Sequence, residues 1–187
     1  MEKTKLLDEL IGGCVQGERR SQQLIYTMFA GKMKAVCLRY LKSREDAEDL
    51  LQEGFIKTFQ NIGQYKFEGS FEGWMRRMFV HICIDHLRKQ KSKGWKVEFK
   101  DELTDVSETD PEEENLELPE ISPDQILEAM QQLSPVYRTV FNLIAFEQYA
   151  HQEVADQLGI SVGTSKSNYA KAKRNIQRIL LDLTIRK

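Results

Sequence analysis

Apolar side chains recur at intervals of three and four residues through much of the chain. Four such stretches occupy the first half, at residues 6–15, 24–41, 47–62 and 71–87. This spacing lines one face of an α-helix, which turns once in about 3.6 residues. No stretch alternates apolar and polar residues between turn signals, so no strands are predicted. The first half therefore predicts a helical bundle, and the fold class is all-α.

Polar breaks separate these predicted helices. The segments SRED at 43–46 and NIGQ at 61–64 interrupt the apolar spacing. Ser43 is a suitable N-cap for the third helix, because its hydroxyl can accept a hydrogen bond from a free amide of the first turn. Glu45 and Asp46 then lie in that turn, where negative charge is favourable.

The apolar pattern stops at residues 100–124, which are polar and strongly acidic. Such a segment repels itself and buries little, so it is predicted to be a flexible linker. Ser122–Pro123 and Ser134–Pro135 both have the form of an N-cap followed by proline at the first helical position. We therefore predict two helical domains, at residues 1–99 and 125–187, joined by an acidic linker at 100–124.

The fourth helix is apolar around most of its circumference. At about 100° per residue its polar side chains share a stripe roughly 80° wide with one tryptophan; these residues are Trp74, Arg77, His81, Asp85 and Arg88. An aromatic loop that includes Tyr65 and Phe67 precedes it. Flat rings beside guanidinium groups suit unstacked nucleic-acid bases. A core helix whose few charges merely reach solvent would explain the same pattern.

Residues 151–174 have the spacing of a helix-turn-helix. Val154, Ala155 and Leu158 form the inner face of a short helix, and Gly159 suits the left-handed residue that ends it. Ser161 is placed to cap a second helix whose inner positions are Tyr169, Ala172 and Ile176. The residues predicted to face outward are Thr164, Lys166, Ser167, Asn168, Lys171 and Lys173. Such side chains can contact bases and phosphates in a major groove, although a solvated helical hairpin has the same features.

Charge is sorted along the chain, although the net charge is only −2. Residues 1–100 carry 19 basic and 13 acidic side chains, residues 101–125 carry 11 acidic and no basic ones, and residues 126–187 carry 8 basic and 5 acidic ones. Two cationic blocks that flank an anionic segment are compatible with a nucleic-acid partner.

Several classes of protein are disfavoured. No apolar run approaches the roughly 20 residues of a membrane span, and the first ten residues lack a signal-peptide core, so a cytoplasmic protein is expected. Cys14, Cys37 and Cys83 are too far apart for a zinc motif and are expected to be buried thiols. Asp85–His86 and His81 are too few for a metal site. We expect no metal, no cofactor, no small-molecule substrate and no enzymatic activity.

Three segments resemble bacterial RNA polymerase sigma factors of the extracytoplasmic-function group. Residues 46–59, DAEDLLQEGFIKTF, are similar to the family's polymerase-binding helix. Residues 67–77, FEGSFEGWMRR, and 85–89, DHLRK, are similar to its promoter-opening segment. Residues 133–141, LSPVYRTVF, and 163–167, GTSKS, are similar to its reader of the upstream promoter element. Ser165, Asn168 and His151 depart from the usual residues of this reader.

The resemblance implies a role for each segment. Core RNA polymerase would bind Asp46, Asp49, Leu50, Gln52, Glu53 and Phe55, with apolar residues as the anchor. The minus-ten element would be opened and held by Tyr65, Lys66, Phe67, Ser70, Trp74, Arg76, Arg77, His81 and Arg88. The minus-thirty-five element would be read by Ser161, Thr164, Ser165, Lys166, Ser167, Asn168, Lys171, Lys173 and Arg174. It also implies that the linker threads a basic channel of the polymerase, and that an anti-sigma factor is a candidate partner.

Three other interpretations stay open from the sequence. A stand-alone helix-turn-helix regulator would use only the last third of the chain and bind intact operators, as a dimer, without polymerase. An enzyme would need converging ligands or a nucleophile motif. A module that binds only proteins would give no reason for the basic residues of the predicted recognition helix.

Overall fold

A computed structural model describes residues 2–92 and 121–185, and every regular element in these two ranges is helical. The first range contains α1 (Glu2–Val15), α2 (Arg19–Tyr40), α3 (Arg44–Asn61), a 3-10 turn (Ile62–Gln64) and α4 (Phe71–Ser92). The second contains α5 (Pro123–Gln132), α6 (Pro135–Phe141), a π-helical turn (Asn142–Phe146), α7 (His151–Leu158) and α8 (Val162–Ile185). The all-α prediction is confirmed.

The predicted helix starts are confirmed by their capping bonds. Ser43 Oγ accepts from the Asp46 backbone N–H at 3.0 Å, and Ser134 Oγ accepts from that of Tyr137 at 3.4 Å. Ser122 forms a reciprocal capping box with Gln125, directly before Pro123. The chain therefore leaves the acidic segment at Ser122, and α5 begins two residues before the predicted domain start.

The chain divides into two compact units, Met1–His86 and Leu87–Lys187. The division falls within the last turns of α4, whereas the predicted first domain ends at residue 99. Most of the predicted linker, residues 100–120, lies outside the described residues, so its properties stay predictions. Within the described ranges, no helix combines the length and the apolar character that a membrane span requires.

The core of the first unit is formed by the apolar faces of α1 to α4. Cys14, Cys37 and Cys83 are all buried in it, as predicted. Burial, with a smaller contribution from Glu18, raises the pKa of the Cys14 thiol to about 11. At Gly54 the backbone of α3 approaches the ring of Phe79 so closely that a Cβ would overlap it. This glycine therefore sets the distance between α3 and α4.

A buried arginine organises the second unit. Arg138 of α6 donates from Nε to the Met130 carbonyl at 3.0 Å, and from Nη2 to those of Gln131 at 3.0 Å and Leu133 at 2.8 Å. These carbonyls lie at the end of α5, where a helix runs out of internal donors, and that of Met130 also accepts from the Leu133 backbone N–H. Burial lowers the pKa of Arg138 to about 10, so the guanidinium stays charged at neutral pH. One side chain thus fixes α5 against α6.

Candidate nucleic-acid interface

One hydrogen bond closes the loop before α4, and a second one caps the first turn of that helix. The Tyr65 hydroxyl donates to the Gly69 carbonyl at 2.9 Å, and Ser70 Oγ accepts from the Gly73 backbone N–H at 3.0 Å. Gly69 has φ of 75°, and Phe67 has φ of 60°. A positive φ is uncommon for a residue with a side chain and costs of order 1–3 kcal/mol. The loop therefore holds Phe67 in a conformation that a free peptide would rarely adopt.

Four aromatic rings cluster around this loop. The Tyr65 ring centroid lies 5.0 Å from that of Phe67, 5.2 Å from Phe71 and 5.7 Å from Trp74. Phe71 and Trp74 are stacked at 5.6 Å with 22° between their planes. Phe71 is buried, Tyr65 and Trp74 are half-buried, and Phe67 is exposed. The structure thus brings together the three aromatic residues predicted for the minus-ten element, and Phe71 supports them from the core.

A shallow depression of about 430 Å³ lies beside the cluster, between the loop and helices α1 and α2. Its apolar lining includes Met28, Phe29 and Phe71, and its polar edge includes Asp8, Lys32 and Glu72. Partial burial, with Asp8 as a second cause, raises the pKa of Tyr65. The Tyr65 hydroxyl is therefore a stable hydrogen-bond donor at neutral pH.

The cationic residues of α4 differ in how far their side chains are exposed. Arg77, His81 and Arg88 are exposed along the predicted stripe. Arg76 is half-buried and pairs with Glu72 at 3.3 Å. Glu72 also accepts from Lys32, and this bond is the main cause of the lowered pKa of its carboxyl. Arg76 is therefore held against its own helix, and Arg88, although exposed, donates to the Gln157 carbonyl of α7.

The α3 residues predicted to bind polymerase separate into two groups. Asp49 and Gln52 are exposed and Asp46 and Glu53 are half-buried, so polar atoms are accessible along this face. Leu50 and Phe55 are buried, and the prediction that they form a surface anchor is wrong. They follow Ala47 at helical spacing and lie on the same inward face, among the residues that hold α3 to the bundle.

In the second unit, α7, a turn and α8 form the predicted helix-turn-helix. Gly159 ends α7 in the left-handed conformation, with φ of 67° and ψ of 40°. Ser161 Oγ accepts from the Thr164 backbone N–H at 3.0 Å and lies 2.9 Å from the Thr164 hydroxyl oxygen. The predicted cap at Ser161 is confirmed, and its hydroxyl is already engaged at the start of α8.

Most of the predicted residues of α8 face outward. Lys166, Lys173 and Arg174 are exposed, and Thr164, Ser167 and Lys171 are half-buried. The helix therefore carries cations and hydroxyls along one accessible side.

Two residues of α8 that were predicted to contact the minus-thirty-five element are buried. Ser165 is buried, and its Oγ lies 3.0 Å from Nδ1 of His151 in α7. Asn168 is 1% exposed, and neither atom of its side-chain amide has a hydrogen-bond partner within the part of the chain that the structure describes. Both lie on the stripe that contains Ala172 and Ile176, so they pack against α6 and α7 and are not available to DNA.

Two models of one protein family match the chain. The model described as Sigma-70 region 2 matches residues 25–93, and the model described as Sigma-70, region 4 matches residues 124–176. The chain belongs to the sigma-70 family. The first match spans α2 to α4, and the second spans α5 to most of α8.

Full-length relatives place this sigma factor in the extracytoplasmic-function group. It is 28% identical over 176 residues to ECF RNA polymerase sigma factor SigW of Bacillus subtilis, with 90% of this chain and 93% of the relative covered. It is 24% identical over 181 residues to RNA polymerase sigma-H factor of Pseudomonas aeruginosa, with 94% of each covered. The sigma factor RpoE of Bartonella quintana, solved with the anti-sigma factor NepR, has a similar fold: TM-score 0.51, 19% identity, and 84% and 95% of the two chains covered.

Sequence reasoning missed one basic residue of the sigma factor's recognition helix. Arg178 is exposed and lies four residues after Arg174, so it extends the cationic side of α8 by one turn. The spacing of Lys171, Arg174 and Arg178 was the available signal, because residues three and four apart share a helical face.

Proposed function

We propose that this sigma factor binds core RNA polymerase, directs it to specific promoters and promotes opening of the DNA strands. The observation that carries this proposal is the aromatic cluster at the head of α4, with exposed cations along the same helix. A helix-turn-helix with a cationic outer side lies in the other unit. A stand-alone regulator would need only the helix-turn-helix and would give no role to the cluster.

We propose that the aromatic cluster captures a base of the minus-ten element. Phe67, Lys66 and Ser70 are exposed, and Tyr65 and Trp74 offer ring edges and faces beside them. Flipping a base out of a duplex costs a few kcal/mol, and stacking on an aromatic ring returns about 1–3 kcal/mol. Because these magnitudes are similar, one captured base is enough to shift the balance towards an open duplex.

The cations of α4 would hold the neighbouring phosphates. The side chains of Arg77, His81 and Arg88 are exposed. Arg76 is paired with Glu72, so it would either contact DNA after this ion pair breaks or hold Glu72 in place. Contacts of this kind supply affinity and register, whereas the base contacts supply sequence preference. The residues between Tyr65 and Arg88 would thus act as one surface for the melted strand.

The helix-turn-helix would read the minus-thirty-five element in the major groove. Thr164, Lys166 and Ser167 lie in the first turns of α8, the part of a recognition helix that reaches base edges. Lys171, Lys173 and Arg174 lie further along, where they would contact phosphates. Ser161 would act mainly by capping α8, and Ser165 and Asn168 by packing it.

Polymerase would be bound through the outer face of α3. Asp46, Asp49, Gln52 and Glu53 present polar and acidic atoms there. We place the protein in the cytoplasm, where its proposed partners are, and we expect the polymerase rather than this chain to supply catalysis. An anti-sigma factor is a further proposed partner, and the acidic linker is proposed to enter a basic channel of the polymerase.

Run-off transcription tests the proposal. Purified core polymerase would be assayed with and without this protein on a library of promoter sequences. We expect specific initiation only when both are present, and open complexes detected by permanganate reactivity of unpaired thymines. Binding of intact duplex operators by the isolated protein, as a dimer and with no initiation on any core enzyme, would support the stand-alone regulator instead.

A further inference from the structure

The depression beside the aromatic cluster has mostly apolar walls. Phe29 and Phe71 are buried, and their ring centroids lie 5.6 Å apart in an edge-to-face arrangement. Met28 of α2 and Leu7 of α1 continue the apolar lining. The volume of about 430 Å³ and the few polar groups at the edge are typical of sites that bind a small flat ligand.

The loop proposed to contact the minus-ten element forms one side of this depression. Tyr65, Gly69 and Ser70 all line it, and the bond from the Tyr65 hydroxyl to the Gly69 carbonyl fixes this side. Ser70 is exposed at the edge. A base that leaves the duplex at this loop would therefore have an apolar cavity directly beside it.

Three charged side chains lie at the polar edge, and two of them are paired. Glu72 accepts from both Lys32 and Arg76. Asp8 of α1 is exposed, and its carboxylate has no hydrogen bond or ion pair within the part of the chain that the structure describes. Partial burial and then the Asp8 carboxylate raise the pKa of Tyr65, so Asp8 lies close to the loop. Its carboxylate is thus an acceptor available to a ligand in the depression.

An available carboxylate distinguishes the two pyrimidine bases of DNA. An ionised carboxylate only accepts hydrogen bonds. Cytosine carries an amino group on its ring, and carboxylates accept from this group in complexes of proteins with DNA. Thymine has a carbonyl oxygen at the same position, so it would bring two acceptors together. The carboxylate therefore favours cytosine over thymine, although the two bases differ little in size.

We infer that Asp8 is a specificity-determining residue of this sigma factor, which accepts a hydrogen bond from the amino group of a flipped cytosine in the minus-ten element. This inference rests on the proposed function and names the base that the site selects. Helix α1 precedes residues 25–93, so Asp8 lies outside the region matched by the Sigma-70 region 2 model. The apolar walls would contact the ring of the base, and Asp8 would contact its edge.

Asp8→Asn tests the inference against a matched control. An asparagine amide both donates and accepts, so it can bond either the amino group of cytosine or the carbonyl of thymine. Glu9→Gln is the control, because Glu9 is the next residue of α1, is exposed and is not among the residues that line the depression.

The full chain is combined with core polymerase on promoters that carry cytosine or thymine at each minus-ten position in turn. Run-off transcripts are measured, and thermal melting verifies folding. The ratio of the two yields is compared, because the loss of one negative charge strengthens attraction to both DNAs alike.

We expect one position at which the parent prefers cytosine over thymine by roughly 10-fold. Asp8→Asn should lower this preference to less than about 2-fold, and Glu9→Gln should keep it. Asp8→Ala gives a second test. Replacing the cytosine by 2-pyrimidinone, which lacks only the amino group, should cost the parent roughly 10-fold and cost Asp8→Ala nothing further.

The outcomes separate the inference from the proposed function. If the parent initiates on no promoter with core polymerase, the proposed function fails, and the inference fails with it. If the parent initiates but no position favours cytosine, or if both Asp8 variants keep the preference, the inference is overturned while the function stands. An equal change in Glu9→Gln, or a uniform loss on every promoter in both Asp8 variants, would also overturn it, since the effect would then come from general charge or from folding.

Discussion

The two units of this sigma factor have different cores. Among the described residues, the buried polar side chains of the first unit are Ser21 and Thr58, and those of the second unit are Arg138, Thr139, Asn142, Ser165 and Asn168. In the first unit, polarity along the sequence is a good guide to exposure. In the second, polar side chains are part of the packing.

Helix length gives a physical reason for the buried polar residues of α6 and of the turn that follows it, whereas Ser165 and Asn168 lie within α8, which is 24 residues long. The helices of the first unit are 14, 22, 18 and 22 residues long, whereas α5, α6 and α7 have 10, 7 and 8 residues. Each helix end leaves four backbone groups without an internal partner, so short helices bring more of them into a small core. Arg138 bonds three carbonyls at the end of α5, and Asn142 Nδ2 donates to the Arg138 carbonyl at 2.9 Å.

The largest expected effect follows from removing the arginine. Arg138→Met would remove all three side-chain bonds to the end of α5 and leave the Gln131 and Leu133 carbonyls without this donor. We expect the second unit to lose about 3 kcal/mol of unfolding free energy. Hydrogen exchange of backbone amides, read separately in the two units, measures this. Protection in the first unit should not change. Full recovery by Arg138→Lys would show that charge, rather than the planar fork of donors, is what matters.

In the first unit the corresponding weak point is a glycine. Gly54→Ala would push its methyl group into the Phe79 ring, and we expect a loss of about 2 kcal/mol. Gly31→Ala is the control, because a Cβ at this exposed position in α2 meets no atom within 4 Å. It should stabilise the helix by about 0.5–1 kcal/mol. Similar melting temperatures for both variants would mean that α3 and α4 can move apart freely.

Trp74→Ala tests whether the aromatic cluster acts on DNA. Losing one stacking surface should lower open-complex formation by roughly 10-fold, about 1.4 kcal/mol, with little change in the affinity for core polymerase. Permanganate reactivity and anisotropy report the two quantities. Equal losses in both would remove Trp74 from strand opening and assign it to the scaffold.

Asn168→Leu tests how much unfolding free energy the second unit loses by burying this amide. Leucine has the same branching as asparagine, and the amide has no described partner, so we expect the unit to gain about 1 kcal/mol. Gln177→Leu, at an exposed position of the same helix, should change stability little. Loss of stability in Asn168→Leu alone would show that the amide is satisfied in solution, for example by buried water.

The smallest effect concerns the cationic side of α8. Lys171→Ala and Lys173→Ala should each reduce the slope of log affinity against log salt for promoter DNA by about one. Gln177→Ala is the uncharged comparison and should leave the slope unaltered. A slope that also stays constant for the lysine variants would mean that they face water in the complex.

Helix starts were predictable because a single local bond defines each of them. Ser43, Ser122, Ser134 and Ser161 act as the caps that their sequence contexts indicate. The stripe on α4 was also predictable, since the rest of that helix is apolar and must be buried. Local chemistry and periodicity agree at these positions.

The predictions of exposed binding residues were wrong where they relied on the polarity of a side chain or on the family resemblance instead of on helical periodicity. Ser165 and Asn168 precede Ala172 and Ile176 at helical spacing, so the pattern itself places them inside. Leu50 and Phe55 likewise continue the inward face that begins at Ala47. Periodicity does not predict the hydrogen bond of Tyr65 to Gly69 or those of Arg138 to the end of α5. These contacts depend on how the chain folds back in three dimensions.

The hydrogen bond from the Tyr65 hydroxyl to the Gly69 carbonyl closes the base of the loop and leaves the residues between them at its tip. Residues 66–68 lie between the two bonded ends and are exposed. The bond itself uses the Tyr65 side chain and the Gly69 backbone, and none of its atoms belongs to residues 66–68. Under the proposed function, substitutions at Lys66 and Glu68 would change what the loop offers to DNA while the bond that closes it is kept.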